Sequence, residues 1–188
     1  MKTPMEVPLD EKRVLLHACC APCSGAIVEA LLNAGIEPVI FYSNSNIFPF
    51  EEYSLRLNEC IRYARDMGVT IVEDSYSHDE WLCGVSGLEN EPERGGRCLR
   101  CFSMRLERAA RYASENGFRV LTTTLASSRW KDLGQVNEAG KEACSHYPDV
   151  IWWDRNWRKG GLQERRSEII RERGFYNQTW CGCEFSKR

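Results

Sequence analysis

Seven of the ten cysteines in this 188-residue chain fall into three tight groups, near its start, its middle and its end: Cys19/Cys20/Cys23, Cys98/Cys101 and Cys181/Cys183. Only tertiary folding can unite three pieces so far apart, and that requirement constrains the architecture more than any other feature. The first group follows an apolar run, Val14-Leu15-Leu16, and precedes a helix-like stretch from Ser24 to Asn33. A strand feeding a tight turn feeding a helix places thiols where free backbone N–H groups and the helix dipole favour thiolate. Thiolate is the form that binds metal or attacks an electrophile.

The rest of the chain alternates between strand-like and helix-like patterns. Strands are expected at Arg13–His17, Val39–Tyr42, Val69–Val72, Arg119–Thr123 and Val150–Trp153. Helices are expected at Glu51–Met67, His78–Val85, Arg97–Asn116, Leu133–His146 and Leu162–Arg173, with loop from Glu89 to Gly96. Such alternation implies an α/β fold with a parallel sheet covered by helices on both faces. Ligands in such folds bind outside the carboxyl ends of the strands. The Cys19–Cys23 turn, the Asn44–Pro49 loop and the Thr122–Trp130 segment all follow strands, so one face collects them. Strand order does not follow from the pattern.

Length suits one domain over residues 1–188, with Met1 to Lys12 as a flexible N-terminal extension. That extension lacks the apolar centre of a secretory signal, and no apolar run approaches the roughly 18 residues that span a membrane. The expected compartment is the cytoplasm. In reducing surroundings, ten cysteines point to metal binding or redox chemistry rather than a disulfide scaffold. Cys60, Cys83 and Cys144 stand alone in helix-like stretches and read as small buried hydrophobes.

Several chemistries suit the three groups. Cys20-Ala-Pro-Cys23 alone matches a thioredoxin-like redox pair, a reading that leaves five grouped cysteines idle. Two C-x-x-C pairs suffice for structural zinc. Four thiolates are also the ligand set of a [4Fe–4S] cluster, with three thiols left for a second metal or a cycling dithiol. His17, two residues before Cys19, is either a hydrogen-bonded strand residue or a proton donor beside the thiols. His78 and His146 have no such context and read as surface residues.

Taken together, His17-Ala-Cys-Cys-Ala-Pro-Cys23, Arg97-Cys-Leu-Arg-Cys-Phe102 and Trp180-Cys-Gly-Cys183 resemble the QueH-type epoxyqueuosine reductases. The resemblance continues through Asn44-Ser-Asn-Ile47 with Pro49, Glu51-Glu52-Tyr53, Arg56-Leu57, Thr122-Thr-Thr-Leu125 and Asn137-Glu-Ala-Gly140, and covers roughly Val14 to Phe185. It implies a Rossmann-like, nucleotide alpha-hydrolase-like fold and an iron–sulfur enzyme that reduces epoxyqueuosine to queuosine at the tRNA wobble position. A [4Fe–4S] cluster, a nearby mononuclear iron and an external electron donor are implied with it. Cys19, Cys20, Cys23, Cys98, Cys101, Cys181 and Cys183 are then the metal-ligand candidates, and His17 a candidate catalytic residue. Two departures touch the substrate side. The family's Asn-Pro-Asn-Ile-His-Pro loop reads Asn44-Ser45-Asn46-Ile47-Phe48-Pro49, and Ser127-Ser128-Arg129-Trp130-Lys131 keeps the family's Lys without its Pro.

A tRNA substrate requires local positive charge, since the net charge of −2 gives no global attraction. From Asp154 to Arg173 the balance is +3, and from Glu51 to Arg94 it is −7. Asn44, Asn46, Lys131, Arg155, Arg158 and Lys159 are the candidate substrate contacts. Trp152, Trp153 and Trp157 are read either as stacking partners for an extruded base or as strand core.

Overall fold

The computed structural model describes residues 5–187. Five parallel strands form one sheet in the order β3-β2-β1-β4-β5: β1 Arg13–Ala18, β2 Glu37–Tyr42, β3 Ile71–Glu73, β4 Val120–Thr123 and β5 Ile151–Trp152. Central β1 pairs with β2 on one side (Leu15 opposite Val39) and with β4 on the other (Leu15 opposite Leu121). Val14 to Ala18 are buried throughout, as a strand covered on both faces must be. Each buried Val or Leu there contributes about 1.5–3 kcal/mol through its apolar area.

Five α-helices lie between the strands and a sixth follows the last: α1 Ala21–Asn33, α2 Phe50–Met67, α3 His78–Gly84, α4 Gly96–Glu115, α5 Leu133–Ser145 and α6 Leu162–Arg173. α1 packs against α2 and α6, and α4 against α5. Right-handed crossovers place these two sets on opposite faces, because the chain moves outward through β1, β2 and β3, then returns to β4. The α1–α6 contact is close enough that a Cβ on Gly25 would lie 2.9 Å from Ile169 Cγ2. The strand order reverses between β1 and β4, so the crevice past their carboxyl ends is the binding position such sheets offer.

The expected alternation and the parallel sheet are both present, with boundary differences that have local causes. α1 begins at Ala21 rather than Ser24, because Cys20 caps it and the Cys20 carbonyl accepts the Ser24 N–H at 3.2 Å. Pro22 therefore sits in the first helical turn, where its missing N–H costs nothing. β3 begins at Ile71, since the Val69 N–H bonds back to the Ala64 carbonyl and belongs to the exit of α2. Of the N-terminal extension, residues 1–4 lie outside the described residues, while Met5 and Val7 pack against the core and Arg119 meets Glu11 at 3.1 Å.

Several motif residues hold this scaffold. The Thr122 hydroxyl donates to the Trp153 carbonyl and accepts the Trp157 indole N–H, both at 3.1 Å. Asn137 accepts the Trp152 indole N–H, and Gly140 leaves room for that ring, since a Cβ there would come within 2.2 Å of it. Trp157 is fully buried and Trp153 nearly so, so these two are core rather than stacking surfaces for a base. Cys60 and Cys144 are buried as expected, but Cys83 is exposed on α3. His78 is a second correction. It is buried, bonded through Nδ1 to the Ser45 carbonyl and through Nε2 to Glu184, each at 2.8 Å. His146 does lie at the surface.

Candidate metal centre

β1 delivers Cys19 to its carboxyl end beside the end of β4. There the Cys19 N–H donates to the Thr124 hydroxyl at 3.1 Å, and that hydroxyl donates on to the Cys19 sulfur at 3.4 Å. Cys20 and Cys23 follow at the start of α1, and the three sulfurs lie within 4.8 Å of one another. Cys19 and Cys20 are 3.7 Å apart, close to the roughly 3.8 Å separating two thiolates bound at 2.3 Å to one tetrahedral ion. Hydrogen bonds from the Cys20 and Cys23 thiols hold Cys19 well below its ordinary pKa, against the opposing effect of burial and with help from Lys131 and Arg105. The same contacts, with burial, raise Cys20.

The second group opens α4. The Arg94 N–H donates to Cys98 Sγ at 3.3 Å. Arg97 anchors this helix start by donating to the carbonyls of Leu88, Glu89 and Glu91. Cys101 is buried beside Trp81, Val85 and Cys183, and burial pushes its thiol up to about 11.

The third group lies on a strap that crosses the site near the end of the chain. Arg56 donates to the carbonyls of Cys181 at 3.0 Å and Trp180 at 3.4 Å, and the Phe48 N–H to that of Gly182 at 2.9 Å. Gly182 has φ +107, and a Cβ there would meet Ile47 Cγ1 at 2.9 Å and Arg56 Nη1 at 3.0 Å. Only glycine fits this pivot. The His78–Glu184 bond closes the strap from the far side.

The three groups meet at one cavity of about 640 Å³. Cys19, Cys23, Cys98, Cys101, Cys181 and Cys183 all line it, and the Cys20 sulfur lies 3.7 Å from that of Cys19. Arg105 of α4 is buried in its wall, donating to the Ser43 carbonyl and to Asn44 Oδ1. Burial works against the Arg105 charge, but Cys101, Cys19 and Cys181 outweigh it and raise its pKa. Lys131, half-buried in the lining, is likewise disfavoured by burial and held charged by Cys181, Cys19 and Cys23. Arg105 and Lys131 thus both favour negative charge on the thiols they share the cavity with, as metal-binding thiolates require. The Asn46 side chain, 1% exposed, lines the same cavity with neither amide atom hydrogen-bonded among the described residues. A buried orphaned amide costs about 1–3 kcal/mol, so its place in the cavity wall marks a position for a ligand.

Other sequence candidates lie elsewhere. His17 does not line the cavity. It is fully buried in the sheet, its Nε2 donating to the Ser43 carbonyl at 3.1 Å and its Nδ1 accepting from Thr123 at 2.8 Å. Burial, with the Arg105 charge, lowers its pKa to about 3, so it is neutral and has no free proton to pass on. Asn44 donates to the Ala18 carbonyl and accepts from Arg105, which makes it a wall-builder. Arg155 lies over Trp153 and Trp157, and Arg158 donates to the Ser128 and Lys131 carbonyls, bracing the loop that presents Lys131. Arg155, Arg158 and Lys159 are all outside the cavity lining.

Arg105 and Arg56 were not anticipated as site residues, although the sequence carried a signal for both. Each is a charge on the apolar stripe of its helix: Arg105 between Phe102 and Ala109, Arg56 between Tyr53 and Cys60. A buried stripe admits a charge only where something opposite satisfies it.

The sheet and its site define a class: a doubly wound α/β protein with a thiol-lined cavity at the switch point of its parallel sheet. The U34-tRNA thiolase NcsA from Methanococcus maripaludis, solved with its [4Fe-4S] cluster, shares the fold. Its TM-score is 0.61 at 13% identity, over 100% of this chain and 65% of the thiolase. The family model for epoxyqueuosine reductase QueH matches residues 14–188, and the chain belongs to that family. Relatives named epoxyqueuosine reductase QueH include those of Acinetobacter baylyi, 48% identical over 98% of this chain and 84% of its own length, and Histophilus somni, 47% over 98% and 76%. That of Thermotoga maritima is 33% identical over 92% of this chain and 89% of its own.

Proposed function

We propose that this chain reduces epoxyqueuosine to queuosine at the wobble position of tRNA, with an iron–sulfur cofactor held by the cavity thiols. The observation that carries the reading is the meeting of three distant cysteine groups at one cavity beside two charged side chains and an unpartnered amide. The thioredoxin-like alternative needs thiols that a protein partner can reach. Cys20 is 1% exposed, and Cys19 and Cys23 are 8% exposed.

Deoxygenation breaks both C–O bonds of the epoxide, forms a C=C bond, and releases the oxygen as water after uptake of two electrons and two protons. A [4Fe–4S] cluster supplies electrons singly, and a second iron among the remaining thiols would add a Lewis acid. The seven grouped cysteines are the proposed ligands. Lys131, in the lining, is read as the cation that orients the epoxide oxygen and stabilises the negative charge developing there. Asn46 offers one donor and one acceptor to the bound nucleoside, while Arg105 fixes the charge balance of the wall. The electrons come from an external donor, and residues 1–188 act as one cytoplasmic reductase domain.

Anaerobic purification with iron and sulfide analysis and an absorption spectrum tests the cofactor. The reading expects a brown protein, bleached by Cys98→Ala or Cys101→Ala. A colourless protein holding stoichiometric zinc, with no iron after anaerobic reconstitution, contradicts it.

A further inference from the structure

Trp130 is the most exposed of the large apolar side chains among the described residues, with 79% of its surface open, and it lines the mouth of the thiol cavity. Its backbone is nevertheless firmly held. Arg94 donates Nε to the Trp130 carbonyl at 3.0 Å and Nη2 to the Arg129 carbonyl at 2.9 Å. The Trp130 N–H donates to the Ser128 hydroxyl at 3.3 Å, and Arg158 clamps the carbonyls on either side, Ser128 and Lys131. A fixed main chain presenting a bare indole gains nothing for the fold, since an exposed Trp ring buries little apolar area.

The surroundings specify the chemistry of what covers it. Seven Lys and Arg side chains line the cavity against two carboxylates, Glu93 and Asp132, in a chain whose net charge is −2. Arg94, Lys131, Arg166 and Lys187 are among them. A cationic mouth with an exposed aromatic face suits a single-stranded polynucleotide, with phosphates on the cations and a base on the ring. A nucleoside drawn into the cavity leaves its neighbours without a stacking partner, and an indole at the entrance replaces that partner.

We propose that Trp130 is a positioning residue that stacks the nucleobase next to the one drawn into the cavity. The inference rests on the reductase reading above and adds to it where the RNA enters. It also relocates the nucleic-acid contact, from the Arg155–Lys159 segment to the rim formed by Arg94, the Arg129–Lys131 loop and Lys187.

The test uses the anaerobically reconstituted protein and an anticodon stem-loop RNA carrying epoxyqueuosine. Trp130→Ala should weaken binding by about 5- to 150-fold, the range for losing one base–aromatic stack. KM should rise while kcat stays within about threefold. Trp130→Phe, which keeps a ring, should recover most of the loss. The salt dependence of binding should be unchanged in Trp130→Ala and shallower in Arg94→Gln, since only the latter removes a cation from the mouth. Thermal stability and iron content should match wild type in both Trp130 variants. Wild-type turnover together with Trp130→Ala binding within twofold of wild type would overturn the stacking role and leave the reductase reading intact. Wild-type protein that neither binds nor converts the stem-loop would overturn both.

Discussion

Gly182 holds the strap that carries Cys181 and Cys183, so Gly182→Ala asks whether strap geometry governs the metal centre. A non-glycine residue at φ +107 costs about 1–3 kcal/mol in backbone strain. The added Cβ also lies 2.9 Å from Ile47 Cγ1 on a buried side chain, and 3.0 Å from Arg56 Nη1. Moving that guanidinium gives up its bond to the Cys181 carbonyl, a charge-assisted contact of about 1.5–3 kcal/mol. The sum is about 2.5–6 kcal/mol, or a Tm lower by about 5–24 °C in a chain of this size. Gly174→Ala is the matched control. Its φ is also positive, at +61, but nothing lies within 4 Å of the new Cβ, so it should lose only about 1–2 kcal/mol. Thermal unfolding and iron per chain, both measured anaerobically, separate the two. Gly182→Ala should lose stability and iron, Gly174→Ala only a little stability. Full iron content in Gly182→Ala, with a Tm within about 3 °C of the control, would refute the assignment of the strap as a fixed wall.

Asn46→Leu should leave urea stability unchanged or raise it by up to about 1–2 kcal/mol, because it removes a buried amide that has no partner, while lowering kcat/KM by about 10- to 100-fold. Lower stability with unchanged kcat/KM would mean that Asn46 supports the fold instead. Burial disfavours the Asp74 charge, but Arg108 and the Ser43 hydroxyl outweigh it and hold the carboxyl below its ordinary pKa. The unfolded chain then binds this proton more readily than the native one. The advantage of wild type over Asp74→Asn, about 1–3 kcal/mol, should therefore be complete above about pH 4–5 and lost as pH falls below that. A difference independent of pH down to 3 would contradict this.

The α/β class, all five strands and all six helices were legible because buried parallel strands and amphipathic helices impose apolar periods of their own. The meeting of the cysteine groups was legible as a requirement. Its place at the β1/β4 switch point was not, because strand order depends on crossovers that leave no local pattern. His78 and Cys83 exchanged their expected places for the same reason. α3 is short, and what buries His78 is Ser45 and Glu184, brought from 33 and 106 residues away. The cluster of Arg155, Arg158 and Lys159 looked like a phosphate contact in one dimension. In three, Arg155 covers two core tryptophans and Arg158 braces the Lys131 loop. The burial of single residues was misread where the partner was distant, whereas the grouped cysteines carried their pattern locally and share one cavity.

The central claim is that the thiol cavity deoxygenates a modified nucleoside in tRNA. The most direct measurement incubates anaerobically reconstituted, iron-loaded protein with epoxyqueuosine-containing tRNA and a strong reductant, then digests the tRNA for nucleoside mass spectrometry. Loss of epoxyqueuosine and a matching gain of queuosine are expected, with the oxygen released as water and no conversion without reductant. Iron-loaded protein that binds the tRNA and yields no queuosine would contradict it.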